Sequence, residues 1–385
     1  MQVAIKANLS QQWQHPKWRG PNAQSFVEYS LCGLNQKENP KERCPNVSYK
    51  VLSAGILVAL AALLALPGKI QTQTTKNSSA TSSGSLLSSL PESDAVALVQ
   101  LKRALNEAMP RILSRDPAKL ATANAQIENF KSRTGIDPRS FDQIALGVRY
   151  SYPSEKVAKL QTVGLARGTF SAPAMVAAGR IAAVGKFREE KYQGKSIYVF
   201  TLEDEIKLFG LFRVRLREFA ASPLDANTLA LGDAQSIRNV IDVNRNKKRA
   251  STELIALANR DPEAIVGFGG NISPALLQSL DIGNQAIIQD LSSVRQVYGS
   301  FGVTVTDVAM FLAARTVNPE AAKNLGNTIE GLKQLGSIFV NRRSSARTTL
   351  AKNVLDNLKV VTQANELHIR TNIAQSALAP FVSGF

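Results

Sequence analysis

The residues of this chain best spaced for chemistry are three arginines, Arg213, Arg215 and Arg217. In a β-strand, alternate side chains share a face about 6–7 Å apart. Three guanidinium groups so placed could grip phosphates or carboxylates in bidentate fashion. The plainer reading is a solvated face balanced by Glu203, Asp204, Glu205 or Glu218. A second cationic group lies in Arg245-Asn-Lys-Lys-Arg249, where Lys247, Lys248 and Arg249 could meet an anionic lipid or glycan. As a loop between two helices, it is read more simply as a solvated charge run. Arg342-Arg343 needs no ligand, because cations at a helix C-terminus are favoured by the helix dipole. These six arginines and lysines, Arg213, Arg215, Arg217, Lys247, Lys248 and Arg249, are the anion-binding candidates of the sequence.

Other chemistries are restricted by what is scarce. Cys32, Cys44, Trp13, Trp18 and His15 all precede residue 50, and beyond residue 68 there is no Cys, no Trp and a single histidine, His368. A cysteine-based zinc or iron–sulfur site, a disulfide and a thiol nucleophile are therefore excluded from that region. A Ser-His-Asp arrangement could use only His368, which sits on the polar face of a strand in Glu366-Leu-His-Ile-Arg370 and reads as structural. Glu189-Glu190 and Asp204-Glu205 are adjacent along the chain. In strands, their carboxylates point to opposite faces and form no ready acid–base pair. Gly267-Phe-Gly-Gly270 lacks both the Lys-Ser/Thr ending of a phosphate loop and the spacing of a dinucleotide fingerprint. It reads as a tight turn between a strand and a helix. No catalytic residue, metal or cofactor is called for.

Location is indicated more clearly. Val51–Gly68 reads VLSAGILVALAALLALPG, eighteen residues without a charge. As a helix it would span roughly 27 Å, close to the thickness of a bilayer core. Against a helix packed in a soluble domain, the segment is apolar all round with no polar stripe to mark an outward face, and a polar tract follows it. Two membrane readings stand: an uncleaved anchor, which the poor small-residue pattern at Ala65-Leu-Pro-Gly68 favours, or a signal peptide releasing the rest to the periplasm. The excess of Lys41, Arg43 and Lys50 before the segment over Lys69 and Lys76 after it places the N-terminus inside and the C-terminal bulk outside. Residues 1–50 read as a cytoplasmic tail or as sequence upstream of the true start.

Residues 69–90 form a Ser/Thr-rich linker, with QTQTTKNSSATSSGSLLSS at its centre. Beyond it the pattern is α/β. Asp116-Pro117 starts a helix that ends near Gly135, and Ser171, Asp233 and Ser273-Pro274 cap others. Asn318-Pro319-Glu320 starts a long helix to about Asn341. Strands are expected at Asp94–Leu101, Ile144–Tyr152, Thr162–Phe170, Ser196–Leu202, Leu208–Phe219, Thr228–Leu231, Arg295–Val303, Val308–Thr316 and in a pair around Asn365. Pro262-Glu-Ala-Ile-Val266 echoes Pro91-Glu-Ser-Asp-Ala-Val96, each leading from a short strand into a helix. The expected fold class is thus α/β, of α+β type: an N-terminal transmembrane or signal helix, then duplicated strand–helix units over 91–260 and 261–385. Short turns between paired strands argue for mainly antiparallel sheets.

The layout resembles that of uncharacterised exported bacterial domains. In these, a hydrophobic segment and polar tether precede a phrase like Thr134-Gly-Ile-Asp-Pro-Arg-Ser-Phe141 ahead of a strand. The likeness spans about residues 90–385 and implies no activity. Physically, Gly135 ends a helix, Asp137-Pro138 starts a turn and Phe141 is an apolar plug.

The net charge of +16, of which +11 falls after residue 70, suits anionic partners. The expected role is a non-enzymatic binding or scaffold module on the outer side of a membrane. Its partners would be the membrane, through residues 51–68, and an anionic envelope polymer or another envelope protein. An envelope enzyme using carboxylate or Lys chemistry is the alternative. Against nucleic acid stand the absence of a known motif and the expected side of the membrane.

Overall fold

The structure is a computed structural model that describes residues 86–378, apart from 155–156, 184, 202–205, 209–211, 215–217, 244, 246–247, 279–284 and 341–345. The hydrophobic segment 51–68 lies outside the described residues. Among the described residues, no helix is long and apolar enough to cross a membrane.

In chain order the elements begin with β1 (Ala95–Val99). The helical run α1 follows through Leu101–Arg103, a π-helical Ala104–Ala108 and Met109–Ile112, and then α2 (Pro117–Thr134). Next come the hairpin β2 (Phe141–Ser154) and β3 (Val157–Gly168), helix α3 (Ala172–Ala182), and the hairpin β4 (Phe187–Tyr192) and β5 (Lys195–Thr201). Short strands β6 (Ile206–Leu208) and β7 (Phe212–Val214) precede β8 (Glu218–Pro223), β9 (Thr228–Gly232), α4 (Ala234–Val243) and α5 (Thr252–Ala258). The chain continues through β10 (Val266–Asn271), α6 (Pro274–Gln278), α7 (Gln285–Ser292), β11 (Val294–Val303) and β12 (Asp307–Thr316). It ends with α8 (Pro319–Val340), α9 (Ala346–Asn357), β13 (Lys359–Gln363), β14 (Glu366–Ala374) and α10 (Gln375–Leu378).

Local chemistry sets many of these bounds. Asp116 Oδ1 accepts from Lys119 N at 3.0 Å to start α2, and Gly135 ends it at φ 70°. Asp233 Oδ1 accepts from Ser236 N at 2.8 Å to start α4, and Asn318 Oδ1 accepts from Ala321 N at 2.8 Å to start α8. These carboxylates and amides supply partners that the first helical N–H groups otherwise lack.

The fold is mixed α/β, built on one large antiparallel sheet. Twelve strands run in the order β13-β14-β12-β11-β10-β1-β2-β3-β9-β8-β5-β4, with β6 and β7 in a separate two-stranded sheet. The expected boundary at residue 260 falls between α5 and β10. Strand β1 pairs with β10 from Ala95↔Gly270 to Val99↔Val266, so a single sheet crosses it.

Alternation along the strands gives the sheet two unlike faces. On one, Val96, Leu98, Ala145 and Leu165 pack with Ile237 and Val240 of α4 and Leu254 and Leu257 of α5. On the other, Val99 and Val266 pack with Leu105, Met109 and Ile127 from α1 and α2, while α8 contributes Leu325 beside Val294 and Leu367. Burying a Leu or Ile fully, as at Leu254 and Ile237, stabilises by about 1.5–3 kcal/mol each.

Three local expectations need correction. The single strand Leu208–Phe219 is instead divided: β6 and β7 pair antiparallel with Lys207 opposite Arg213, and Glu218 opens β8. Gly267–Gly270 is the interior of β10, paired on both sides, and not a turn. Glycine is required there by close approach: a Cβ on Gly267 would stand 2.0 Å from Ala258 O, and one on Gly269 2.8 Å from Leu257 Cβ. The glycines thus let α5 lie directly on the strand. Finally, Phe187–Tyr192 is a strand and Ala346–Asn357 a helix, both unmarked in the sequence pattern.

Candidate functional site

Three cross-strand rows define the α4/α5 face of the sheet toward its β13 end. Asn271, Gln296, Arg315 and Glu366 are aligned across β10, β11, β12 and β14. The next row is Gly269, Tyr298, Ala313 and His368, and the third is Gly267, Ser300, Phe311 and Arg370. Small residues at Gly269 and Ala313 flank Tyr298, and its ring is fully buried between them.

Glu366 is the hub. Its Oε2 accepts from Tyr298 Oη at 2.7 Å and contacts His368 Nε2 at 2.9 Å, while its Oε1 accepts from Arg315 Nε at 2.9 Å. Arg315 Nη1 also donates to Gln296 Oε1 at 2.6 Å and Glu253 Oε1 at 2.7 Å, which ties α5 to the sheet. Gln296 Nε2 donates to Asn271 Oδ1 at 3.0 Å, continuing the row. Burial pushes the Glu366 carboxyl up, but the hydrogen bonds from His368, Tyr298 and Arg315 outweigh it and hold the group at about 2. Glu366 is therefore ionised near neutrality, and His368 Nε2 carries the proton it donates. Burial, reinforced by the bond to Glu366, pushes the Tyr298 phenol up to about 12.

Beside this closed network lies a cleft of about 410 Å³. Its cations are Arg260, from the loop between α5 and β10, and Arg370 of β14. The Arg260 guanidinium carbon stands 5.0 Å from the Tyr298 ring centre and 5.8 Å from that of Phe311. That of Arg370 is 5.1 Å from the Phe311 centre. Arg260 Nη1 donates to Tyr298 Oη at 2.6 Å. Neither arginine forms an ion pair among the described residues, and both are exposed. Asp261 also lines the cleft, with Oδ2 accepting from Ser300 Oγ at 3.1 Å and Oδ1 from Glu263 N at 3.1 Å. Among the described residues, no group of three His, Cys, Asp or Glu is placed to hold a metal ion.

Of the six sequence candidates, Arg213, Lys248 and Arg249 are among the described residues. Arg213 is in β7, in the small separate sheet, and Arg215, Arg217 and Lys247 fall outside the described residues. Lys248 and Arg249 are exposed near the start of α5. Lys248 Nζ is 4.0 Å from Glu92, and Arg249 bridges to Pro91. Of the described candidates Arg213, Lys248 and Arg249, none lines the cleft. Sequence reasoning marked the polar alternation Glu366, His368, Arg370 but missed Arg260, Tyr298 and Phe311. Only the register of four strands brings these together.

No family model and no curated protein matches the chain. Solved structures similar to it include crystal forms of TP0453. Form III is 10% identical at a TM-score of 0.41, covering 78% of this chain and 98% of that one. Form IV is 10% identical at 0.42, covering 80% and 100%. Likeness at this level carries no argument.

Proposed function

We propose that the chain is a non-enzymatic binding or scaffold module, held at a membrane by residues 51–68 with its α/β region on the extracytoplasmic side. The observation that carries binding over chemistry is the state of the Glu366 cluster. A carboxyl at about 2 and a phenol at about 12 keep their protonation states through the neutral range, so neither is tuned to exchange a proton with a substrate. The adjoining Arg260 and Arg370 are suited to hold an anion without transforming it. The address is supported by eighteen uncharged residues followed by a polar tract.

Fractionation with protease accessibility tests this. The full-length protein is expected to stay with membranes through high-salt and alkaline washes. Protease added outside the cell membrane should digest residues 91–385. Recovery in the soluble cytosol without detergent would contradict the proposal.

The same reading takes 91–260 and 261–385 as a duplicated unit. In support, the strands outward from the β1–β10 pair run β2, β3, β9, β8 on one side and β11, β12, β14, β13 on the other. In both, an inner strand leads through helices to a hairpin, and the chain returns to a later strand pair, β8–β9 after α3 and β4–β7 in the first set and β13–β14 after α8 and α9 in the second. Superposing one set on the other should match strand for strand, and a mismatch in strand direction would overturn it.

A further inference from the structure

The cleft has properties that an ordinary solvated face lacks. The Arg260 guanidinium stands over the Tyr298 ring and that of Arg370 over the Phe311 ring. An aromatic ring attracts a cation without cancelling its charge, and guanidinium N–H groups match a carboxylate. Among the described residues, Arg260 donates to Tyr298 alone, and the Arg370 side chain donates to nothing. The aromatic rings therefore hold two cations in place without neutralising them.

The remaining lining narrows the ligand. Two guanidinium groups and the Asp261 carboxylate leave the cleft with one net positive charge. A dianion would bring an uncompensated charge next to Asp261, whereas a monoanion is matched. Asp261 has oxygen lone pairs beyond those used by Ser300 and Glu263, and these suit hydroxyl donors. The Asn372 amide on the rim can both donate and accept, and Ala309 and Leu257 add an apolar wall. About 410 Å³ lies within the range of small-ligand sites. The exposed Arg260, Arg370 and Asn372 leave one side open for a chain to continue beyond the bound unit.

We infer that this cleft binds a singly charged carboxylate carried on a hydroxylated ring, the chemistry of a uronic-acid unit in an acidic glycan. The inference rests on the binding-module reading above and names its ligand. The carboxylate lies against the edges of Arg260 and Arg370. The ring hydroxyls meet Asp261 and Asn372, and a C–H face of the ring packs on Ala309 and Leu257.

Isothermal titration of the full-length protein in mild detergent tests this with trigalacturonate, galacturonate monomer, neutral galactotriose and glucose 6-phosphate. Saturable binding of trigalacturonate, little of galactotriose and weaker binding of the dianionic sugar phosphate are expected. Binding of the monomer as well would place the contacts within one sugar unit. Arg370→Ala should weaken trigalacturonate binding about ten-fold or more, the worth of a charged hydrogen-bonded contact. Arg370→Lys, which keeps the charge but loses the fork, should weaken it several-fold while the protein stays folded. No saturable trigalacturonate binding, unchanged affinity in Arg370→Ala, or tighter binding of glucose 6-phosphate would overturn the inference. Failure of the wild type to bind trigalacturonate leaves the membrane address untouched, since that is tested by fractionation. Cytosolic recovery of a uronate-binding protein would sink the address and spare the cleft.

Discussion

The two ends of the α4/α5 face of the sheet both carry arginines but employ them differently. At the β4 end, Arg188 donates to Glu218 Oε1 at 2.6 Å and Oε2 at 3.3 Å, and to Glu190 Oε1 at 3.2 Å. Arg238 of α4 pairs with the other oxygen of Glu190. These guanidinium edges are spent on the protein itself, and the hydrogen bond to Glu218 pushes Arg188 up from its ordinary value. At the β13 end, Arg315 is spent in the same way on Glu366 and Glu253. Arg260 and Arg370 instead stand over aromatic rings and, among the described residues, form no ion pair, Arg260 making one hydrogen bond to Tyr298 Oη. An arginine paired with carboxylates is part of the fold, and one placed over aromatic rings keeps its charge for a ligand.

The largest way to break this contrast is at the hub of the closed network. Glu366→Ala removes the acceptor for Tyr298, Arg315 and His368 and leaves polar groups buried without a partner. It should cost about 3 kcal/mol, read as a fall in the urea midpoint at neutral pH. The same carboxylate sets a pH dependence. Its folded value of about 2 lies below its ordinary 4.5, so its contribution is present above pH 4.5 and lost as pH falls toward 2. The loss is at most about 3 kcal/mol, and Glu366→Gln should flatten that part of the stability curve. Equal acid sensitivity in the variant would contradict the hub role.

Gly267→Ala should cost about 2 kcal/mol, because its Cβ meets the Ala258 carbonyl and α5 must shift. Thermal melting would reveal it, and an unchanged melting temperature would mean that α5 does not sit so close. Since α5 carries Glu253 and leads into Arg260, this substitution should also weaken ligand binding. Smaller effects are expected from Arg188→Ala. Its ion pairs are partly exposed and should contribute less than about 1 kcal/mol, with trigalacturonate affinity unchanged.

How much of this could be read from the sequence depended on range. Features set by neighbouring residues were legible: the Asp116, Asp233 and Asn318 caps, and the strand pair around Asn365. The mixed α/β class with antiparallel strands was also legible, from short turns between alternating runs. Of the three-arginine stripe, Arg213 lies in β7 and Arg215 and Arg217 fall outside the described residues. Alternation over Leu208–Phe219 cannot show that Ile206–Leu208 pairs antiparallel with Phe212–Val214. Gly267–Gly270 looked like a turn because the helix that demands its glycines packs from another part of the chain. The cleft itself was hidden for the same reason. Arg260 and Arg370 are 110 positions apart in sequence and meet over Phe311 only through the pairing of β10, β11, β12 and β14.

The central claim, that Arg370 is held for a ligand and not for the fold, is tested most directly by the urea midpoint of Arg370→Ala. The loss of one exposed cation–aromatic contact predicts a cost below about 1 kcal/mol, well short of that for Glu366→Ala. A drop as large as that of Glu366→Ala would show that Arg370 is structural, and the distinction between the two ends of the face would fail.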